Sequence, residues 1–122
     1  MTVKITIKQG YILVEPSKGI DFWEIYEGVG KLLKIKEFPE KNDIWVFREG
    51  PSNLVLDNLF QLSELVDRYY PKGFTGHKTA IVAETGIQTG LAKMYAKIVE
   101  YLPFEIRIFQ DIQSAEDWVK ND

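Results

Sequence analysis

A chain of 122 residues with 45% hydrophobic and 27% charged residues fits one folded domain and is too apolar for a disordered protein. The absence of cysteine excludes a disulfide framework, a thiolate zinc site and a cysteine nucleophile. A net charge of −3, with Lys and Arg spread along the chain, argues against a nucleic-acid partner, because such proteins carry a basic surface.

The N-terminal residues and the longest apolar runs contain no recognisable targeting signal. Met1 to Ile5 alternates polar and apolar side chains and lacks the apolar core of a signal peptide. No apolar run approaches the roughly 18 residues of a membrane-spanning helix. We therefore expect a cytoplasmic protein without a membrane span, folded as a single domain over residues 1–122.

The first two strands are predicted to form a β-hairpin. Val3 to Ile7 alternates apolar and polar residues, which is typical of a strand with one face in water. Gln9-Gly10 predicts a tight turn, and Tyr11 to Glu15 predicts the second strand. A helix follows, with Asp21 as its N-cap and Glu24 as the capping-box partner.

The rest of the chain alternates strand and helix patterns. Asp43 to Arg48 is apolar on both sides and predicts a central strand, and Thr79 to Glu84 is typical of a buried parallel strand. Phe104 to Ile108 alternates and predicts an edge strand, while Asp57 and Ser114 are expected to cap helices. The order β-β-α-β-α-β-α-β-α predicts an α/β fold with a mixed, mostly parallel sheet of about five strands and helices mainly on one face.

No set of residues in the sequence indicates catalysis. His77 is the only histidine, and it precedes a strand, whereas ligands of parallel sheets bind at the carboxyl ends. We expect it at the surface. Glu49 and Glu84 each follow a strand and are expected to be solvated charges, with an acid/base pair as the alternative. The sequence thus predicts a non-enzymatic protein with no catalytic residue, metal site or cofactor.

The turn before the third helix is the candidate site for a small anion or other ligand. Free N–H groups and the helix dipole at such a turn can hold an anion. The candidate residues are Thr85, Gly86, Gln88 and Thr89. The turn lacks the P-loop and dinucleotide-binding patterns, and the alternative is an ordinary helix cap. Ser52 is a candidate phosphorylation site near a helix N-terminus, with an ordinary turn serine as its alternative.

An aromatic-rich set remains once the helix-facing residues are assigned. It consists of Tyr11, Leu13, Trp45, Phe47 and Phe109. If the helices stack on one face of the sheet, this set lies on the other face, and an exposed apolar face of that size implies a partner or a lid. We predict an interface formed by Tyr11, Trp45, Phe47 and Phe109, and a homodimer. The alternative is that one helix crosses over and covers them.

Three segments in the C-terminal part of the chain carry a family resemblance. They are Lys78 to Ala83, Gly90 to Tyr95, and Ile106 to Phe109 followed by Asp111, Ala115 and Trp118. With these segments the chain resembles the STAS-like domains, specifically the SpoIIAA-like group related to bacterial anti-sigma-factor antagonists. The resemblance implies strands in sequential order, helices stacked on one side, and a regulatory domain that acts through protein–protein contacts.

The resemblance also defines what this chain lacks. Signalling members carry a phosphorylatable serine in an Asp-Ser-Ser/Thr-Gly turn after the third strand. Here the turn is Arg48 to Asn53, the motif is absent, and Ser52 lies outside the pattern. Some relatives are likened to lipid-carrying SEC14 domains, so the alternative function is a small-molecule or lipid carrier with a pocket at the carboxyl ends of the strands.

Overall fold

The computed structural model describes residues 3–17, 19–38, 40–70 and 76–121. Five strands and four helices follow one another in the predicted order. They are β1 (Lys4–Ile7), β2 (Ile12–Glu15), α1 (Phe22–Leu33), β3 (Asp43–Phe47), α2 (Leu56–Tyr69), β4 (Lys78–Ala83), α3 (Gly86–Ile98), β5 (Glu105–Phe109) and α4 (Ile112–Lys120).

The five strands form one sheet in the order β1-β2-β3-β4-β5. β1 and β2 are antiparallel, and every other neighbouring pair is parallel. Trp45, at the centre of β3, is paired with Val14 of β2 on one side and Ile81 of β4 on the other. The predictions of a mostly parallel α/β sheet, a central third strand and a last strand at the edge are confirmed.

The helices cover both faces of the sheet. Because side chains alternate along a strand, β3 contributes to two separate clusters. Trp45 and Phe47 pack with buried residues of α1, α2 and α3. Ile44 and Val46 pack on the other face with Ala115 of α4 and its neighbours. Three helices therefore lie on one face and α4 lies on the other.

This arrangement corrects the predicted aromatic face. Tyr11 belongs to the cluster beneath α4, with Phe109 packed against it, whereas Trp45 and Phe47 belong to the cluster beneath the other three helices. Tyr11 is 2% exposed, and Trp45 and Phe47 are each 6% exposed. The prediction that the four share one open face is wrong, because a strand buried on both sides does not indicate which helix covers which side chains. The homodimer stays a prediction.

Tyr11, just before β2, and residues of β4 and β5 attach α4 to the sheet. The Tyr11 hydroxyl donates to the Glu116 carboxylate, and burial followed by this hydrogen bond raises the pKa of Tyr11 to about 12. Phe109 packs against Trp118 with ring centroids 5.8 Å apart. Lys78 Nζ donates to the Trp118 carbonyl at 2.9 Å. The helix thus covers its face through hydrogen bonds and apolar contacts together.

Two predicted helix caps are wrong by a few residues. The N-cap of α2 is Val55, whose N–H donates to Asn58 Oδ1 at 3.0 Å, while Asp57 lies in the first turn. The N-cap of α4 is Asp111, which accepts from Ser114 N at 2.8 Å. Asp111 accepts from a free N–H of the first turn of α4, whereas in α2 the Asn58 side chain reaches back to the N–H of Val55, and both helices begin slightly earlier than expected.

Two glycines of α1 have opposite surroundings. A Cβ on Gly28 would lie 2.7 Å from Cη2 of Trp45, whereas a Cβ on Gly30 would meet nothing within 4 Å. We expect Gly28→Ala to lower the free energy of unfolding by about 1–3 kcal/mol, because the indole must move. Gly30→Ala is expected to raise it by about 0.5–1 kcal/mol, because alanine favours the helix. Urea denaturation measures both, and changes of the same sign would contradict this close packing.

Candidate functional site

The turn between β4 and α3 is closed by the side chains of its own residues. Thr85 Oγ1 accepts from Gln88 N at 3.1 Å, and Gln88 Oε1 accepts from Glu84 N at 3.1 Å. Gln88 Nε2 donates to the Arg48 carbonyl at 2.7 Å, across to the end of β3. Gln88 is 1% exposed. This capping box therefore also ties the carboxyl ends of β3 and β4 together.

The residues predicted to bind an anion are those that build this cap. Thr85 and Gln88 hold each other, and Thr89 Oγ1 donates to the Thr85 carbonyl at 2.9 Å. Gly86 is the first residue of α3 and offers only its backbone. The geometry is that of the helix-cap alternative, and the carboxyl group of neighbouring Glu84 disfavours an anion there. Anion binding at this turn stays a prediction.

Glu49 and Glu84 meet at the carboxyl edge of the sheet. Glu84 Oε1 accepts from the backbone N–H of Glu49 at 2.7 Å. Arg48 pairs with Glu15 at 3.1 Å beside them, and this pair is partly exposed. The Glu84 carboxyl group thus binds backbone and holds the end of β3. An acid/base role for the two glutamates stays a hypothesis.

Ser52 lies on an exposed turn after β3. Its Oγ accepts from Leu54 N at 3.3 Å, and its backbone forms a parallel bridge with Ile20. The hydrogen bond is that of the turn-serine alternative. The side chain is at the surface, and its phosphorylation stays a prediction.

A buried polar network at the amino ends of the strands was missed by the sequence interpretation. His77 Nε2 lies 2.6 Å from Asp43 Oδ1, which also accepts from Thr79 Oγ1 at 2.8 Å. Trp45 Nε1 donates to Asp43 Oδ2 at 2.8 Å. Asp43 is 0% and His77 3% exposed, so the prediction of a surface histidine is wrong. The imidazole is buried because a carboxylate from the neighbouring strand accepts from it.

Aromatic rings surround this network. Phe38 lies 5.3 Å and Phe104 6.2 Å from the His77 ring, and Tyr70 contacts both phenylalanines. Burial, and after it the negative charge of Asp43, raises the pKa of Tyr70 well above its ordinary value and also that of Tyr95. The polar network is buried and surrounded by apolar side chains. We therefore interpret it as a structural feature that holds β3 and β4 together.

An apolar cavity of about 80 Å³ lies between the sheet and the three helices on its larger face. Its walls include Trp45 and Ile81 from the sheet, Ile25 from α1, Leu62 from α2, and Leu91 and Ala92 from α3. Four lining residues, Trp45, Tyr70, Thr79 and Tyr95, have side chains with a polar atom, and those of Trp45 and Thr79 already donate to Asp43. A void with so few polar partners does not favour water.

A second, polar depression lies beside the start of α1, and we name it the Glu24 cleft. Ser17, Asp21, Glu24, Ser52 and Asn53 contribute its polar groups. Asp21 Oδ2 accepts from Glu24 N at 3.0 Å, which confirms the predicted N-cap. The capping-box role of Glu24 is wrong, because its Oε2 accepts from Ser17 N at 3.1 Å instead. Glu24 is 3% exposed.

Three aromatic residues form a cluster on the outer side of α1. Ring centroids are 4.9 Å apart for Phe22 and Trp23 and 5.8 Å apart for Trp23 and Tyr26. Trp23 is 61% and Tyr26 47% exposed. Exposed aromatic clusters of this kind occur at binding surfaces.

Neither a common type of site nor similarity to a known protein assigns a function to this chain. Within the described ranges, no group of three or more His, Cys, Asp or Glu residues is placed to hold a metal ion. No helix in that part of the chain is long and apolar enough to cross a membrane. No protein-family model, curated protein or solved structure matches this chain. The STAS-like resemblance therefore stays a prediction.

Proposed function

We propose that this chain is a non-enzymatic, STAS-like binding domain that holds a small apolar ligand or acyl chain between its sheet and α1–α3. The observation that carries this proposal is the apolar cavity of about 80 Å³. An engineered cavity of about 150 Å³ binds benzene or xenon. The smaller volume here fits a short aliphatic segment, so the ligand's remaining atoms lie outside the cavity.

The energetics favour occupation by an apolar group. Side chains that line an empty apolar void lack partner atoms on one side and lose dispersion energy. A ligand methylene that enters restores these contacts and gains about 0.8 kcal/mol from leaving water. Ile20 and Leu54 also line the cavity, and they lie in the segments that follow β2 and β3. Their position supports ligand entry from the carboxyl ends of the strands.

Binding of hexan-1-ol to protein with ¹³C-labelled methyl groups tests this proposal. We expect saturable shifts of the Ile25, Ile81 and Leu91 methyl signals at millimolar ligand. Ala92→Leu places a larger side chain in the cavity wall and should abolish the shifts. Ala96→Leu, one turn further along α3 and outside the lining, is the matched control and should retain them.

Native mass spectrometry of gently purified protein gives a second measurement. A bound apolar molecule that is absent from Ala92→Leu protein would identify the natural ligand. Hexan-1-ol shifts that survive in Ala92→Leu, or that never appear in wild-type protein, would contradict the proposal.

A second candidate is a regulatory interaction domain that docks a protein partner or forms a homodimer. The exposed aromatic cluster of Phe22, Trp23 and Tyr26 favours it. Sedimentation at micromolar concentration tests self-association, with Trp23→Ala expected to release monomer. Tyr69→Ala, at the far end of α2 and also exposed, is the control. A wild-type monomer would exclude the homodimer at those concentrations.

A further inference from the structure

β5 is an edge strand, and no strand of the described chain pairs with its outer side. It is last in the sheet order and pairs with β4 alone. The Glu105 N–H donates to the His77 carbonyl at 3.0 Å, so Glu105 and every second residue after it direct their backbone groups towards β4. Ile106 and Ile108 therefore direct their N–H and C=O groups away from the sheet. Such an edge can accept one further strand.

The two charged side chains of β5 lie on the face that α4 covers. Glu105 and Arg107 are both exposed, and neither forms an ion pair with a described residue. The Arg107 guanidinium lies over the Trp118 ring, 5.1 Å from its centroid. Lys78 and Asp117 line the same open depression, and their charges are opposite. A guanidinium stacked on an aromatic ring can still donate from its edge to a carboxylate.

The sequence of β5 is complementary in charge to itself when two copies run antiparallel. Pairing Ile106 with Ile106 of a second copy places Glu105 opposite Arg107 of that copy, and Arg107 opposite its Glu105. On the other face Ile108 then lies opposite Phe104, and both residues already pack against the apolar core. Opposite charges and apolar pairs at directly opposed positions stabilise antiparallel strands.

The backbone geometry supports the same register. Antiparallel residues that direct both backbone groups at each other form a hydrogen-bonded pair, and the residues between such pairs bring their side chains closer together. Ile106 would form the hydrogen-bonded pair, and Glu105 and Arg107 the closer pairs. Registers centred on Glu105 or Arg107 place like charges opposite each other, which is unfavourable. Registers centred on Phe104 or Ile108 pair neither charge with its opposite.

The other edge strand, β1, lacks this complementarity. Lys4 is its charged residue, and it contains no acidic side chain. No pairing of β1 with itself can therefore bring opposite charges together, and lysine on an edge strand disfavours pairing with another chain. The charge pattern thus favours β5 as the edge that pairs with a second copy.

We propose that two copies of this chain pair through β5 in an antiparallel, two-fold register centred on Ile106, which joins their two five-stranded sheets into one. Such an interface is isologous, because each copy contributes the same residues. The pairing uses the backbone and side chains of β5, so it does not require a ligand in the cavity. The interface is small, and we expect a dissociation constant of about 10–100 µM.

Sedimentation equilibrium of the full chain up to about 500 µM measures this association. Arg107→Glu places acidic side chains opposite each other at both charged positions, and Glu105→Arg does the same with basic ones. Each variant should weaken the dimer at least about tenfold. Lys93→Glu, which makes the same change of charge at an exposed position of α3, is the control and should keep the wild-type affinity.

Mixing the two variants restores the complementarity. Each Arg of the Glu105→Arg chain then lies opposite a Glu of the Arg107→Glu chain, so the equimolar mixture should dimerise about as tightly as the wild-type chain. Misfolding of either variant could not produce this rescue, and circular dichroism checks the fold of each one alone.

Amide hydrogen exchange in wild-type protein tests the register without a substitution. The Ile106 N–H should exchange about fivefold more slowly in a concentrated, dimeric sample than in a dilute one, because it donates to the second copy only in the dimer. The Ile5 N–H of β1, at the other edge of the sheet, should exchange at the same rate in both samples.

A wild-type chain that stays monomeric up to about 500 µM would overturn the proposal. Folded variants that stay monomeric when mixed, or an Ile106 amide whose exchange does not depend on concentration, would also overturn it. Trp23→Ala distinguishes β5 from the aromatic cluster of α1 as the homodimer surface. An unchanged dimer supports pairing through β5, whereas release of monomer would place the interface at α1 and overturn this inference.

Discussion

Replacing Asp43 with alanine is expected to lower the free energy of unfolding by about 3–5 kcal/mol. The carboxylate accepts hydrogen bonds from His77, Thr79 and Trp45, and it is completely buried. Its removal leaves three donors without an acceptor in an environment that water does not reach. Urea denaturation followed by circular dichroism measures the loss, and the m-value shows whether folding remains two-state.

Matched variants distinguish the loss of the buried hydrogen bonds from the general effect of replacing an aspartate with alanine. Asp117→Ala, on the exposed side of α4, should change the free energy of unfolding by less than about 0.5 kcal/mol. A double-mutant cycle of Asp43→Ala with Thr79→Val should give a coupling energy of about 0.5–3 kcal/mol. If Asp43→Ala cost no more than Asp117→Ala, the buried network would have no stabilising role.

Gly19→Ala is expected to lower the free energy of unfolding by about 3 kcal/mol or more. Gly19 has φ +68°, and a Cβ there would lie 2.0 Å from the Pro51 carbonyl oxygen. An alanine with this left-handed backbone conformation is less stable than glycine by about 1–2 kcal/mol. In addition, the backbone segments around Gly19 and Pro51 must move apart to make room for the Cβ atom. These segments are joined by the hydrogen bonds from Gly19 N to Arg48 O and from Ile20 N to Pro51 O. Thermal and urea denaturation measure the loss.

Gly76 supplies the control for this prediction. It has φ +79°, and a Cβ there would meet nothing within 4 Å. Gly76→Ala therefore has the unfavourable backbone conformation but no steric clash. It should lower the free energy of unfolding by only about 1–2 kcal/mol. Equal losses in the two variants would contradict the close approach of the segments around Gly19 and Pro51.

The strand and helix order could be predicted because hydrophobic periodicity is a local property. The doubly apolar pattern from Asp43 to Arg48 required a central strand, and the alternating pattern around Ile106 required an edge. The helices α1, α2 and α3 each connect neighbouring parallel strands, so the right-handed rule places them on one face. No strand follows α4 in the described chain, so the right-handed rule does not determine on which face of the sheet α4 packs. Its position on the other face had to be observed.

The sites depend on contacts that are distant in sequence. Asp43 and His77 are 34 residues apart, and only the register of β3 and β4 brings them together. The one local signal was an aspartate at the start of a strand that is otherwise buried on both faces. The cavity could not be predicted, because it depends on how well the side chains of three helices fill space. Glu24 was recognised as important to the helix start, but its actual partner, Ser17, lies before a turn.

The placement of α4 has a consequence for synthesis on the ribosome. The strands pair in chain order, so the sheet can extend one strand at a time as the chain emerges. α4 comes after all five strands, and until it docks, Leu13, Ile44, Val46 and Val82 face water together. A nascent chain halted before Asp111 would therefore expose an apolar surface, on which chaperones or other nascent chains can bind.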